Sequence, residues 1–581
     1  MNEPHLSGRA LLSGILIGAL LTPCNVYSGL KIGWTFNISI IALLAITGCW
    51  ALLARWTGSA ALAPGEGNIA QTTASSSANI ISGGLVAPIP ALAMLSGGNL
   101  PAPALVVWVF SVSFLGIWVA WYLRESLLLR SGLAFPTGAA TAEALREVFA
   151  EGREAALKLR VLLSAGLIAG LLKWLDSAWL ALPRPGLGFS LPATGALAGA
   201  GGISAKNLTL SLDPSPLLLG FGAIIGFRAG VSLLLGAVLS WGLIGPWGLA
   251  VGFIAAGADD PGASWFPEMI EWLLWPGVAL MVFSALTRFV LRGAVERRTA
   301  AQTLPATGDG PGARWQRIVG LAVASALVVV AQIAIFDIHW LIACVAVPIA
   351  FLLAMVASRV VGETGIPPIG AIGKVSQLAT GVMAPGQTTE NLMGANVAGG
   401  AAGQSADLLN DFKAGLAVKA PPRAQVVAQF FGILTGSLVG TWVYLKLIPD
   451  PGAMLITEQW PAPAVATWKA VAETLAGGLG AIPESALLAV AASAAVGTGA
   501  ALIEHYRGPA WLPSMPAVGL AMVIPASLAI TMFAGSLMAL LLHRFRPTLA
   551  QRFTIAAASG LIAGESLTGV AAALFGILGA G

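Results

Sequence analysis

A chain of 581 residues that is 57% hydrophobic and only 10% charged, with a mean hydropathy of +0.84, cannot face water on every side, because soluble globular proteins carry about 25% charged residues. The net charge of +4 and pI near 9.1 imply no nucleic-acid partner, since Lys and Arg gather in the cytoplasmic loops of membrane proteins. Three cysteines, Cys24, Cys49 and Cys344, sit inside apolar stretches, so neither a disulfide framework nor a zinc cluster is implied.

In chain order, Asp, Glu, Lys and Arg are absent from 10–30, 32–54, 67–123, 229–258, 424–445 and 508–542. A helix crosses the hydrocarbon core in about 20 apolar residues, so most of these gaps hold one span and the longest has room for two. The start of the chain, through Cys24, has the outline of a lipoprotein signal. Pro23 before the cysteine and the mixed charges Glu3 and Arg9 argue instead for an uncleaved first span. Spans are expected near 10–28, 33–54, 68–95, 103–123, 157–180, 215–256 (two) and 266–291. After a basic loop from Arg288 to Arg317 they resume near 318–337, 340–358, 366–384, 391–412, 424–447, 484–503, 512–542 and 553–579. The stretches 132–150 and 456–476 are ambiguous. The expected fold is an all-α polytopic membrane protein of about 14–16 transmembrane or re-entrant helices. Interrupted backbone is expected at 63–65, 365–368 and 384–386, where Pro and Gly cluster and where a cavity would tolerate it.

An internal repeat is visible. Asn68, Ile69 and Ala70 align with Asn396, Val397 and Ala398 at an offset of 328, and Ser77 and Asn79 then meet Ser405 and Asp407. Lys31 pairs with Arg359, and Phe135–Pro136 with Trp460–Pro461, at nearly the same spacing. Two duplicated halves follow, 1–300 and 314–581, joined by a cytoplasmic linker at 301–313. Such repeats recur in secondary transporters, whose sites lie at the repeat interface. The residues leave open whether the repeats are parallel or inverted.

Polar residues mark the candidate site. Asn68, Gln71, Ser75 and Asn79 recur at three- and four-residue steps and stack on one helical face. Asn396, Gln404 and Asp407 belong to the corresponding segment of the second half. A polar stripe is costly against lipid, so it is expected to face a cavity or another helix, and the bland alternative is interhelical hydrogen bonding alone. Glu66, Glu363, Glu390 and Asp407 are candidate proton carriers, with Lys374 between the middle two and Asn391 beside Glu390. Their alternative is a permanent salt bridge such as Glu363 or Glu390 with Lys374. Enzyme motifs fail. Gly220 and Gly222 are followed by Gly226, one residue late for a dinucleotide fingerprint, and no Walker A lysine is present. His5, His339, His505 and His543 have no ligand spacing, so no catalytic metal and no cofactor are expected.

Four segments carry a family resemblance: 25–33 (NVYSGLKIG), 65–72 (GEGNIAQT), 135–143 (FPTGAATAE), and 362–370 (GETGIPPIG) continuing through 391–396 (NLMGAN) to Lys413. The chain resembles the oligopeptide transporter (OPT) family, which includes the yellow stripe-like metal-chelate transporters. The resemblance implies a proton-coupled importer of short peptides, or of peptide-like metal chelates as the runner-up, and not an enzyme. It carries motif positions onto Lys31, Glu66, Asn68, Gln71, Glu363, Asn391, Asn396 and Asp407. A homodimer in the plasma (inner) membrane is expected from the family alone. The segments 60–82 and 362–413 would form an amphoteric pocket, with protons as partners and alternating access as the mechanism. A passive channel would need a continuous polar pore and would show uptake indifferent to a proton gradient; a membrane-embedded enzyme would need a clustered nucleophile and base or a metal site, and no such constellation appears in the sequence.

Overall fold

The computed structural model describes residues 5–33, 38–60, 62–130, 133–150, 152–178, 182–192, 202–296, 311–364, 369–478, 482–508 and 512–578. The expected all-α polytopic architecture is what is observed. Eleven described helices are long and apolar enough to cross a membrane, and two shorter apolar ones cover Ser39–Ala51 and Pro216–Ile225.

The chain folds as two compact units. Unit 1 comprises Met1–Gly29, Thr35–Arg160 and Gly293–Pro451; unit 2 comprises Leu30–Trp34, Val161–Arg292 and Gly452–Gly581. These units do not follow the sequence halves. Each half is divided, chiefly near 160 and near 451, and each unit takes residues from both halves. Most of the linker at 301–313 lies outside the described residues, and a helix already begins at Pro311.

Helices α1 (Gly8–Ile32), α2 (Ser39–Thr57), α3 (Pro64–Ala78), α4 (Pro88–Ser96), α5 (Ala102–Arg124) and α6 (Pro136–Ala150) open the chain. Next come α7 (Gly152–Ala178), α8 (Pro216–Ile225), α9 (Phe227–Ala237), α10 (Gly245–Val251) and α11 (Phe266–Glu296). Unit 1 resumes with α12 (Pro311–Phe336), α13 (Trp340–Thr364), α14 (Ile369–Met383), α15 (Thr388–Ala417) and α16 (Pro422–Leu447). Unit 2 closes with α17 (Pro451–Met454), α18 (Pro463–Gly477), α19 (Glu484–Arg507), α20 (Met515–Val523), α21 (Ala526–Phe545) and α22 (Pro547–Leu578).

Unit 1 is organised around α3 and α15, two polar helices that are buried almost throughout. Pro64 opens α3 because a helix's first turn needs no donor there, and Glu66 reaches back to the Ala63 N–H. Small residues then let neighbours press close. A Cβ added to Gly14 or Gly18 of α1 would strike Thr73 or Ser77, and one on Gly432 or Gly436 of α16 would strike Thr73, Ser76 or Ser77. Packing through glycine every fourth residue is how helices approach in a bilayer, where no hydrophobic force drives them together. On α15 the same role falls to Gly116 of α5, against Ala401 and Gln404, and to Gly138 of α6, against Asn410.

In unit 2, α7 and α22 cross through Gly166, Gly560 and Gly564, each with its Cβ direction aimed at the opposing backbone. Helices α8 and α9 are separated at Gly226, whose φ of +84° and ψ of 162° no side-chain-bearing residue adopts readily. This interruption was not among the expected ones. Of those, 63–65 forms the start of α3 and 384–386 the turn before α15, while 365–368 lies outside the described residues. The strands Ser190–Leu191 and Ile203–Ser204 pair antiparallel, Ser190 opposite Ser204. Within the ambiguous stretch 132–150, Pro136–Ala150 forms α6, and 456–476 holds most of α18.

Candidate functional site

The polar faces of α3 and α15 meet inside unit 1 and run antiparallel. Gln71 Nε2 donates to Asp411 Oδ1 at 2.7 Å, Ser75 Oγ to Asp407 Oδ1 at 3.0 Å, and Asn79 Nδ2 to the Gly403 carbonyl at 3.4 Å. Asn396 Nδ2 continues the series by donating to the Gly83 carbonyl at 2.8 Å. As the residue number rises on one helix it falls on the other, which is the signature of opposed directions.

Helix α16 completes the site. Gln429 Nε2 donates to Asp407 Oδ2 at 3.1 Å and to Asp411 Oδ2 at 2.9 Å, so one amide joins the two carboxylates. Gln425 Nε2 donates to the Asn68 Oδ1 at 3.1 Å and to the Asp411 carbonyl at 2.6 Å. Gln404 Nε2 reaches Ser76 Oγ at 3.0 Å and also Gln429. Asp411 is 1% exposed and Asp407 8%. Asp407 and Asp411 lie one helical turn apart on the same face, and they interact electrostatically. Each hydrogen bond described to either carboxylate comes from a neutral amide or hydroxyl. Burying charge is costly unless donors or countercharges compensate it, and here amides and hydroxyls supply the compensation.

Asn68, Gln71, Ser75, Gln404 and Asp407 are thus joined in one buried side-chain network, while Asn79 and Asn396 bond to backbone carbonyls across the same helix pair. Other candidates stand elsewhere. Glu66, 1% exposed, is held by Arg9 through an ion pair and by Ser7 Oγ at 2.6 Å. Lys31 donates to the Gln459 carbonyl at 2.8 Å within unit 2. Asn391 Nδ2 donates to the Gln377 carbonyl at 2.7 Å, and Gln377 Nε2 donates back to its Oδ1 at 3.1 Å. Lys374 is buried on α14, Glu390 stands in the first turn of α15, and the side chain of Glu363 lies outside the described residues.

Asp411, Gln425 and Gln429 are absent from the sequence-derived set. The signal for Asp411 was its place one turn after Asp407; Gln425 and Gln429 are themselves one turn apart in a stretch without charge. Among the described residues no group of three or more His, Cys, Asp or Glu side chains is placed to hold a metal ion.

A family model described as OPT oligopeptide transporter protein matches residues 5–575. A putative oligopeptide transporter of Saccharomyces cerevisiae is 24% identical over 99% of this chain and 97% of its own length. A probable metal-nicotianamine transporter of Oryza sativa subsp. japonica is 23% identical, covering 96% of this chain and 89% of its own. One from Arabidopsis thaliana is 30% identical over 30% of this chain and 25% of its own. With the match running nearly end to end over a polytopic helical fold, the chain belongs to the OPT oligopeptide transporter family.

Proposed function

We propose that this protein is a proton-coupled importer of short oligopeptides or peptide-like compounds, working by alternating access in the plasma (inner) membrane, with Asp407 and Asp411 as its coupling site. The observation that carries this reading is the single Gln429 amide shared by two buried carboxylates one turn apart. A proton gained or lost at the pair changes the buried charge by one, and the charge sits where three helices meet. Rearrangement of α3, α15 or α16 is thereby tied to proton binding, because intramembrane charge is tolerated only with suitable partners. Gln404 Oε1 is buried without a hydrogen-bond partner among the described residues. The network therefore has capacity left for another arrangement of its donors.

The duplication supports alternating access. Adding 328 to Ser75 gives Gly403 and subtracting it from Asp407 gives Asn79, so the contacts Ser75–Asp407 and Asn79–Gly403 exchange with each other. Ser76 and Gln404, themselves 328 apart, are bonded to one another. Gly116 meets Ala401 and Gln404 as Gly432 meets Thr73 and Ser76, which are the same positions after the offset. A two-fold relation that swaps antiparallel helices has its axis across them, which for membrane-crossing helices is an inverted repeat.

Uptake of labelled tri- to pentapeptides into proteoliposomes, with and without an acidic exterior, tests the reading. Gradient-driven uptake that is lost in Asp411→Asn is expected. Equal uptake with and without the gradient would remove the coupling. The second reading, a metal chelate as cargo, is favoured by the relatives described as probable metal-nicotianamine transporters. Gradient-driven uptake of a chelate in place of peptides would select it.

A further inference from the structure

The two carboxylates of the buried network differ in the kind of donor that reaches them. Asp411 accepts from the side-chain amides of Gln71 and Gln429. Asp407 accepts from Gln429 on one oxygen and from a hydroxyl, Ser75 Oγ at 3.0 Å, on the other. The difference decides where a proton can travel. An amide nitrogen donates but does not accept, whereas a hydroxyl has one donor and two acceptor lone pairs and can receive one proton while releasing another. Thr72 Oγ1 lies within electrostatic reach of Asp411, yet it has no hydrogen-bond partner among the described residues, so no chain of hydroxyls continues from it.

From Ser75 a chain does continue. Its Oγ lies 3.0 Å from the Oγ of Ser39, the first residue of α2, and both residues are 2% exposed. Ser75 has a single hydroxyl proton and gives it to Asp407, so within the serine pair Ser39 Oγ donates and Ser75 Oγ accepts. Ser39, Ser75 and Asp407 thus form a directed chain that ends on the carboxylate.

The outer member of this chain stands deep in the span. Helices α1 and α3 run side by side in the same direction, Gly14 against Thr73 and Gly18 against Ser77, which sets Ser75 level with the stretch between those glycines. At 1.5 Å per residue, α1 begins about 12 Å before that level and extends about 20 Å past it by Gly29, which packs against Val86. Helix α2 therefore starts at membrane depth, beside the middle of α1. A chain that changes from irregular to helical backbone at such depth must be enclosed by protein or line a water-filled cavity.

We propose that Ser39 and Ser75 are a hydroxyl relay carrying the coupling proton between water admitted at the start of α2 and Asp407. In the loading step a hydrated proton passes to Ser39 Oγ, the Ser39 hydroxyl proton moves to Ser75 Oγ, and the Ser75 proton moves to Asp407 Oδ1. Each serine ends with one proton and the carboxylate becomes a carboxylic acid; rotation of the two hydroxyls restores the starting orientation, and release runs the chain in reverse. The inference rests on the coupling role given to Asp407 and adds the route by which its proton arrives.

The test is the kinetics of protonation in the purified full-length protein, followed through the infrared carboxylic-acid C=O band after a rapid drop in pH. The band that Asp407→Asn removes reports the end of the chain; if that variant does not fold, Asp407→Glu, which shifts the band, identifies it. Its rise is expected to slow at least ~10-fold in Ser39→Ala and in Ser75→Ala, a modest share of the ~10²–10⁴ that a positioned proton donor contributes. The rate is expected to recover in Ser39→Thr, which keeps the hydroxyl. Because Ser39 acts through Ser75, Ser39→Ala is expected to lower the rate while the final amplitude stays at the wild-type level, a split that loss of a merely structural hydrogen bond does not produce. Unchanged thermal unfolding shows that the fold survives, and if Ser75→Ala does not fold, the two Ser39 variants decide by themselves. A wild-type rate in Ser39→Ala, or a rate in Ser39→Thr as slow as in Ser39→Ala, would overturn the relay and leave Asp407 as the coupling group. A carboxylic-acid signal untouched by either Asp407 variant would take the coupling role from Asp407, and the relay with it.

Discussion

Glu66 and Asp411 are both almost fully buried acids, yet their surroundings differ. Glu66 has the Arg9 guanidinium, Ser7 Oγ and the Ala63 N–H, so its charge is compensated permanently. Asp411 has only neutral donors described for its side chain. Glu66→Gln is therefore expected to lower stability while the folded fraction retains gradient-driven uptake. The loss should stay below the ~3–5 kcal/mol of a fully buried pair, because the Arg9 side chain is about a third exposed and can turn to water. Thermal unfolding together with uptake per folded molecule separates the two effects; loss of coupling at unchanged stability would return Glu66 to the transport site. At this scale the sequence was legible in part. The periodicity of Asn68, Gln71, Ser75 and Asn79 showed which face of α3 is polar, and Asp407 was found by the repeat. Glu66 met the same criterion of intramembrane charge, but its partner Arg9 lies 57 positions away, and only tertiary packing pairs them.

Among the elements, α5 and α16 are the informative pair. Gly116 and Gly432 present equivalent absences of side chain to equivalent positions, Ala401 and Gln404 on α15 and Thr73 and Ser76 on α3. If the two helices occupy corresponding places in a duplicated fold, Gly116→Val and Gly432→Val should each destabilise the protein by ~1–3 kcal/mol through overpacking. Their effects should also be alike, which unfolding midpoints in detergent would show. A large cost at one position and none at the other would mean that the correspondence is coincidental. Asn68 and Asn396 motivate the expected duplication, but this pair does not stand out in the sequence. Glycine is so frequent in the chain, at 71 residues, that no single one stands out until the opposing backbone is seen. The same density hid the interruption at Gly226, since Pro–Gly clusters drew attention to 63–65 and 384–386 instead.

For the whole molecule, the expected duplication divides the chain into repeat halves 1–300 and 314–581, and the compact units interleave parts of both. Hydropathy carries no information about which spans pack together, so this could not be read from the sequence. The interleaving matters for topology, because it places α3 and α15 in one unit with opposite directions. Further contacts agree: Asn99, just before α5, donates to the Ile448 carbonyl at 2.7 Å just after α16, and Tyr444 Oη near the end of α16 donates to Asn99 Oδ1 at 2.7 Å. The start of α5 therefore lies beside the end of α16, and these two helices also run in opposite directions. Gly98 and Lys419, both exposed, lie shortly before the first residues of α5 and α16. In an inverted repeat they belong on opposite faces of the membrane. Single cysteines introduced by Gly98→Cys and Lys419→Cys, after replacement of Cys24, Cys49 and Cys344, are expected to react with an impermeant maleimide from opposite sides of oriented vesicles. Labelling of both from the same side would exclude the inverted arrangement of α5 and α16, and with it the rocking of one repeat against its inverted copy as the basis of alternating access.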